Sequence, residues 1–335
     1  MKRSRGVALL TVLLVTALVT IVAVAMLTRQ QHAIERTLQM SSIAQARAYA
    51  LGAETFAREA LARDFRDDRE PPRTDSLADA WARPVAPFEV ECGSMQLRVL
   101  DAQRGFNLNA IALGGTNPAL TRLRTLLTAL QVDPQFADLL KDWIDGDQDV
   151  SGIGGEDGDY LLREPGYRTA NAPLADVSEI ALIGALDDEQ RGRLAEAFDA
   201  LPVPRARVNV NTAGPYALLA LVPELGLDEA EAIAAEPRDY QDPAQFITAH
   251  PRFGPAIDAL AVTSDFFEVR VRVDCADTTL HLQSLVHRDP GSGATRVLRR
   301  NFGRIWFNSA DVADGDGSDG DNSAPRDNPR EEDDG

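Results

Sequence analysis

Between Val7 and Leu27 the chain runs for 21 residues without a charge, a proline or a glycine. A helix rises about 1.5 Å per residue, so roughly 20 apolar residues are needed to cross the roughly 30 Å hydrocarbon layer of a bilayer. The run is longer than the apolar centre of a cleavable secretory signal, about 7–15 residues, and no A-x-A-like site of small residues follows it. Lys2, Arg3 and Arg5 stand immediately before it. Their charge bias places the N-terminus in the cytoplasm and everything after Leu27 on the other side of the membrane. An ordinary single-pass anchor accounts for this much.

The helical pattern continues past the span. Residues 28–63 contain no proline, a single Gly52 and many Ala, Leu, Gln, Glu and Arg, all good helix formers. A helix over 7–63 would be about 57 residues and on the order of 85 Å long. Ile34, Leu38, Leu51 and Phe56 give it a loose apolar face, expected to pack on a globular domain. Asp64 to Pro87 is charged and proline-containing and reads as a loop. Phe88 to Asp101 alternates as one or two strands, with Gly93-Ser94 as a turn. Three more alternating runs, Phe267–Asp274, Thr278–Arg288 and Thr295–Arg300, are separated by hairpin-length connections and predict an antiparallel meander.

These strands form one α+β domain over 64–102 and 266–308, interrupted by an insertion over 103–265. The insertion reads as helical, with short periodic segments at Leu120–Leu130, Pro134–Ile144, Val177–Leu182, Asp188–Leu201, Gly214–Leu221, Asp228–Ala235 and Pro243–Ala249. Within it Phe106-Asn107-Leu108-Asn109 is echoed by Val208-Asn209-Val210-Asn211, and the asparagines read as caps of helix starts. The two cysteines, Cys92 and Cys275, fall in the same small domain. Beyond the membrane such a pair is a candidate disulfide, whereas in a cytosol it would be two buried thiols; the topology favours the bond.

The formal charge is −18, from 52 acidic and 34 basic residues. That argues against nucleic acid or anionic lipid as a main partner, because phosphate binding needs a cationic footprint. The excess is local: Ser309–Gly335 holds ten acids and two arginines, and Asp142–Asp159 holds seven acids and no base. Residues 309–335 almost lack apolar side chains and read as an acidic disordered tail. Asn209–Glu236 resembles the helix-hairpin-helix unit of DNA-binding and competence proteins, which would make the chain a membrane-anchored DNA receptor. Its turn, Pro223-Glu224-Leu225-Gly226-Leu227, lacks one glycine, and Asp228, Glu229 and Glu231 follow it and would repel phosphate. A packing module is the better reading. The four histidines are scattered and no nucleophile or phosphate-loop context occurs, so the chain reads as no enzyme.

The most specific local pattern is DWIDGDQDVSGIGGEDGDY, from Asp142 to Tyr160. Asp145, Asp147, Asp149 and Glu156 reproduce the first, third, fifth and twelfth positions of a calcium loop, with Ser151 at the seventh offering its carbonyl. Hard oxygen donors in this number suit Ca²⁺, and no His or Cys lies nearby to favour zinc. Val150 stands where such a loop carries glycine, and Gly152 where it carries an apolar residue, so it is not a true EF-hand. The competing reading is a solvated acidic loop, against which stands the mutual repulsion of so many carboxylates.

The basic leader ending at Gly6, followed at once by the apolar run, resembles the leader of type IV prepilin-like proteins. Trp143-Ile144-Asp145-x-Asp147, Gly155-Glu156-Asp157, Tyr160, Pro165-x-Tyr167, Asn171-x-Pro173-Leu174 and Ser178-Glu179 occur in order. Together they resemble the protein K minor pseudopilins of the type II secretion system, over nearly everything except the tail. That resemblance implies a pilin-like fold with a long N-terminal transmembrane helix and an antiparallel sheet, interrupted by a large all-α insertion. It implies cleavage by prepilin peptidase between Gly6 and Val7 with methylation of the new N-terminus. It implies structural calcium held by Asp145, Asp147, Glu156, Asp157 and Asp159, with Asp149 at the margin of the set. Pilins and major pseudopilins carry Glu at the fifth mature position, where Thr11 stands here; its absence suits a tip subunit with no partner above it. The implied partners are other minor pseudopilins, met through the N-terminal helix. The implied location is the bacterial inner membrane, with the body in the periplasm.

Overall fold

The computed structural model describes residues 4–67, 73–113 and 118–303. The expected tail at 309–335 and the first residues of the leader lie outside the described residues. Gly6 and Val7 fall on the backbone of the first helix, α1 (Ser4–Asp67), a 64-residue element on the order of 95 Å long. It extends past the expected end at Arg63, so Asp64–Asp67 are helical rather than loop.

The face that α1 buries is not the expected one. Ile34, Leu38 and Phe56 are about 60% exposed, whereas Ala46, Ala50, Ala53, Ala57 and Leu61 are almost wholly buried. The spacing of these residues is helical, and their small side chains let the helix axis approach the sheet closely; Phe56, one residue off the stripe, is turned outward. Only Leu51 of the expected set is partly buried against the core. Glu54 lies within the stripe at 1% exposure. Its carboxylate accepts from Ser284 Oγ at 2.6 Å and from Arg300 at 2.7 and 2.8 Å, so a buried charge is paired across the helix–sheet seam.

After α1 come strands β1 (Phe88–Val90) and β2 (Gly93–Asp101), with the turn at Glu91-Cys92 rather than Gly93-Ser94. Two pairs of short strands follow within the insertion, β3 (Phe106–Asn107) with β4 (Phe198–Asp199) and β5 (Val208–Asn209) with β6 (Leu260–Ala261), both parallel. The chain then returns through β7 (Phe266–Cys275), β8 (Thr278–Arg288) and β9 (Thr295–Asn301). The main sheet is antiparallel in the order β1-β2-β7-β8-β9. Its alternating valines, Val269, Val271 and Val273, face the alanine stripe of α1 together with Phe267, Leu282 and Val286. Gly93 pairs with Cys275, and Cys92 and Cys275 are disulfide-bonded with Cα atoms 4.8 Å apart. At the opposite end of the seam Gly293 has φ +71°, and a Cβ there would come within 2.2 Å of Phe65; the β8–β9 turn needs glycine both for its backbone and for this approach.

The insertion leaves from the end of β2 and re-enters at the start of β7, adjacent strands with Asp101 opposite Phe267. Its helices are α2 (Pro118–Ala129), α3 (Phe136–Ile144), α4 (Asp157–Tyr160), α5 (Ile180–Ile183), α6 (Asp188–Ala197), α7 (Pro215–Leu221), α8 (Leu227–Ala235) and α9 (Pro243–Ala249). A 3₁₀ segment, Pro251–Ala259, precedes β6. Helix α7 buries Ala217 to Leu221 without a break at the centre of the insertion core. The α7–α8 hairpin is therefore a packing unit, its Gly226 at φ +79° turning the chain and Asp228 and Glu229 opening α8.

The asparagine echo is structural, and it does more than cap helices. The side chains of Asn107 and Asn209 each accept from the backbone two residues on, at Asn109 N and Asn211 N. Asn109 then makes paired bonds to the backbone N–H and carbonyl of Leu174, and Asn211 makes the same pair to Tyr240. Each repeat thus clips one short parallel strand to a distant segment of loop.

Where the insertion meets the sheet, the buried Asp101 carboxylate accepts from Ser264 Oγ, Thr212 Oγ1, Asn209 Nδ2 and Gln103 N. Burial pushes its pKa up, against these four donors. Beside it Asp75 binds Arg288 at 2.6 Å and accepts from Ser264 N at 2.8 Å, while its carbonyl accepts from Asn209 Nδ2 at 3.0 Å. The α1–β1 connection, both crossings of the insertion, and strands β2 and β8 therefore share one buried polar hub.

Candidate metal centre

Helix α3 is anchored by its aromatic face. Trp143 packs edge-on against Tyr160 with ring centroids 5.2 Å apart, and the Tyr160 hydroxyl donates to the Ile183 carbonyl at 3.2 Å. The last turn of α3 carries Asp142, which is fully buried, and the helix ends with Asp145 N donating to Lys141 O. The loop after it folds back over α3, Ser151 N donating to the Asp142 carboxylate at 2.9 Å and Gly154 N to Ser151 O at 2.7 Å. Side chains are excluded along this return: a Cβ on Gly154 would lie 1.9 Å from Asp142 Oδ2, and Gly152, at φ +57°, would place one 2.4 Å from Asp138 Oδ2. The loop ends at Glu156, the residue before the single-turn helix α4.

This path brings one carboxylate oxygen each from Asp142, Asp145 and Glu156 within 4.8 Å of one another. Glu156 is 5% exposed. Neither of its carboxylate oxygens has a hydrogen-bond partner, nor has Asp145 Oδ1. Buried acceptors without donors are costly, and three carboxylates together compound the cost. Burial, then the charges of Asp142 and Asp145, push the Glu156 pKa up to about 7, and burial also raises that of Asp142. Such a cluster takes up either protons or a cation. All-oxygen donors with no His or Cys among them fit a hard divalent ion such as Ca²⁺.

Of the residues expected to be ligands, the structure brings Asp145 and Glu156 together. Asp147 and Asp149 are exposed, and the Asp147 side chain accepts from Asp149 N at 2.9 Å. Asp157 accepts from Thr169 N and Oγ1 at 3.1 and 2.9 Å and pairs with Arg168. Asp159 accepts from Glu156 N at 3.1 Å, which fixes the start of α4. The member that sequence reasoning missed is Asp142. Its signal was present: Asp142 and Asp145 are three residues apart at the end of an amphipathic helix and so share a face. Asn171 and Glu179 are scaffold, Asn171 donating its N–H to Trp143 O at 3.0 Å and Glu179 accepting from Ala175 N at 2.7 Å.

The family model described as type II secretion system (T2SS), protein K matches residues 105–203, the stretch that contains this centre. The type II secretion system protein K of Pseudomonas aeruginosa is 37% identical over 313 residues, covering 89% of this chain and 93% of the relative. That of Klebsiella pneumoniae is 36% identical over 327 residues, covering 91% and 98%. Among solved structures, the GspK-GspI-GspJ complex from the enterotoxigenic Escherichia coli type 2 secretion system contains a chain similar to this one at a TM-score of 0.70 and 28% identity. That match covers 81% of this chain and all of the other. With the pilin-like sheet, the long N-terminal helix and the interrupting helical insertion all present, the chain belongs to the type II secretion system protein K family.

Proposed function

We propose that this protein is the minor pseudopilin at the tip of a type II secretion pseudopilus. There it initiates or caps assembly and so supports export of folded proteins across the outer membrane, by packing rather than catalysis. The observation that carries the reading is the surface of α1. From Leu9 to Ile43 its large apolar side chains are 41–71% exposed, and the helix is long and apolar enough to cross a membrane. Such a surface calls for lipid before assembly and for other helices within the filament. The solved relative's association with GspI and GspJ makes the corresponding minor pseudopilins the partners expected here. Thr11, in place of a buried carboxylate, suits a subunit with nothing above it, and the bulk of the insertion would block further addition.

On this reading prepilin peptidase cleaves between Gly6 and Val7, the N-terminus faces the cytoplasm and the body lies in the periplasm. Mass spectrometry of protein recovered from membranes should then find N-methylated Val7 as the first residue, and Gly6→Val should leave the leader attached. An intact N-terminus on the wild type would overturn the assignment.

The same proposal gives the metal centre a structural role. Asp142, Asp145 and Glu156 would hold Ca²⁺, and the ion would supply the positive charge that fixes the loop to α3. Melting the protein in calcium and in chelator tests this: the midpoint should fall by several degrees on chelation. An unchanged midpoint would count against a structural ion.

A further inference from the structure

Lys141 lies on α3, one residue before the candidate metal centre, and its ammonium bridges the start of the loop to its middle. It is 3.2 Å from Asp145 Oδ2 and donates to Ser151 Oγ at 2.5 Å. Ser151 in turn gives its N–H to Asp142. One cation thus ties the loop's first carboxylate to the residue that braces another. The division of labour between the Asp145 oxygens is informative. Oδ2 faces Lys141, while Oδ1 is buried without a partner, as are both oxygens of Glu156. An ammonium standing in for the metal would bond Glu156 or Asp142. Its contacts are instead with Asp145 Oδ2 and Ser151 Oγ.

We infer that Lys141 is a positioning residue for the cation site: by holding Asp145 Oδ2 and Ser151 it fixes the Asp145 carboxylate with Oδ1 toward Glu156, and so raises calcium affinity. This rests on the reading of the cluster as a calcium centre. Two effects oppose one another. A positive charge near a cation repels it, but the Lys141 side chain is 37% exposed, and at such exposure the repulsion of a divalent ion, twice that of a unit charge, weakens binding by about two- to thirtyfold. Loss of a group that orients a ligand typically costs about 10–100-fold in metal affinity. At the centre of the two ranges the orienting effect is the larger, so removing Lys141 should weaken binding.

The test is calorimetric titration of the full-length protein, in detergent, with CaCl₂. Lys141→Met should raise the calcium dissociation constant about three- to tenfold, the orienting loss less the repulsion that it relieves. Ser151→Ala, which removes one arm of the clamp without changing charge, should raise it by a smaller factor. Lys141→Arg, which keeps N–H donors and the charge, should recover part of the loss. Unchanged or tighter binding by Lys141→Met would overturn the inference, because it would make Lys141 inert or merely repulsive. Wild type and Glu156→Gln settle the underlying reading separately. If wild type takes up no calcium, the metal centre and this inference fall together. If wild type binds, Glu156→Gln does not and Lys141→Met matches wild type, the inference alone fails. Melting each variant in chelator separates lost affinity from lost folding, since a positioning role lowers the calcium-induced shift in midpoint while leaving the metal-free midpoint near that of wild type.

Discussion

Asp199 shows how a single carboxylate outside the Asp142–Asp145–Glu156 cluster leaves a mark on stability. It lies at the end of β4, where Gly105 approaches so closely that a Cβ would meet its Oδ2 at 2.3 Å. Burial, and then the charge of Glu268, push its pKa up to about 7 from an ordinary 3.8. A carboxyl whose folded value lies above its unfolded value binds a proton on folding, so its ionised form opposes the fold above pH 7, and that opposition fades as pH falls toward 4. Asp199→Asn should therefore stabilise the protein at pH 8, by about 1–2 kcal/mol after discounting for partial exposure, and should make little difference near pH 4. Urea midpoints at the two pH values check both the sign and the convergence. At this scale the sequence was legible where chemistry is carried by spacing: Asp145 and Glu156, which the calcium-loop pattern picks out, meet in one carboxylate cluster. It was not legible where membership of the cluster depends on how the loop returns. Asp157 and Asp159 match the same acidic run, yet Thr169 and the Glu156 N–H claim them. Asp142 joins instead because Gly152 and Gly154 let the loop lie back across α3.

Among the elements, α1 illustrates why an apolar pattern locates a helix more readily than its contact face. Its length and continuity followed from composition, but the large residues Ile34, Leu38 and Phe56 suggested the wrong side. In a helix long and apolar enough to cross a bilayer, large apolar side chains need not mark the intramolecular core, and alanines mark the closest approach instead. The two faces should respond differently to substitution. Ala50 is wholly buried against the sheet, and Ala50→Leu would overpack the seam, costing about 1–3 kcal/mol. Phe56, 61% exposed, should tolerate Phe56→Ala within about 0.5 kcal/mol, while losing co-purification with the other minor pseudopilins if that face is the filament contact. Chemical denaturation of both variants, run beside a pull-down, distinguishes core from docking face. Equal destabilisation would mean the faces had been misassigned. The sheet was more legible than the helix face, because alternation in β7 and β8 reports burial directly. The two-residue ladders of β3–β4 and β5–β6 were not, since strands so short carry no period.

For the molecule as a whole the question is what makes a sheet domain and a helical insertion behave as one body. The described residues up to Gly303 fall in one compact unit, although the insertion is joined to the sheet only where the chain leaves β2 and re-enters β7. Apolar contact at this junction is small, a cluster built on Ala102, Leu201, Phe266 and Leu285. The polar hub supplies the specificity that so small a cluster lacks. Asp101, 2% exposed, collects Ser264 and Gln103 from the segments that leave and re-enter the sheet, and Asn209 and Thr212 from within the insertion. Truncating it leaves several buried donors without an acceptor, each worth about 1–3 kcal/mol. Asp101→Ala should cost more than about 3 kcal/mol, and the loss should fall on the coupling rather than on either core, since the alanine–valine seam and the insertion's own core do not include Asp101. Scanning calorimetry should show a single transition for wild type. For Asp101→Ala it should show two, one for the insertion and one for the disulfide-closed sheet, with Asp101→Asn intermediate because one acceptor oxygen remains. If Asp101→Ala melts in one undivided transition at the wild-type temperature, Asp101 does not couple the two parts, and the apolar cluster must hold them together with other contacts such as the Arg299–Asp176 ion pair.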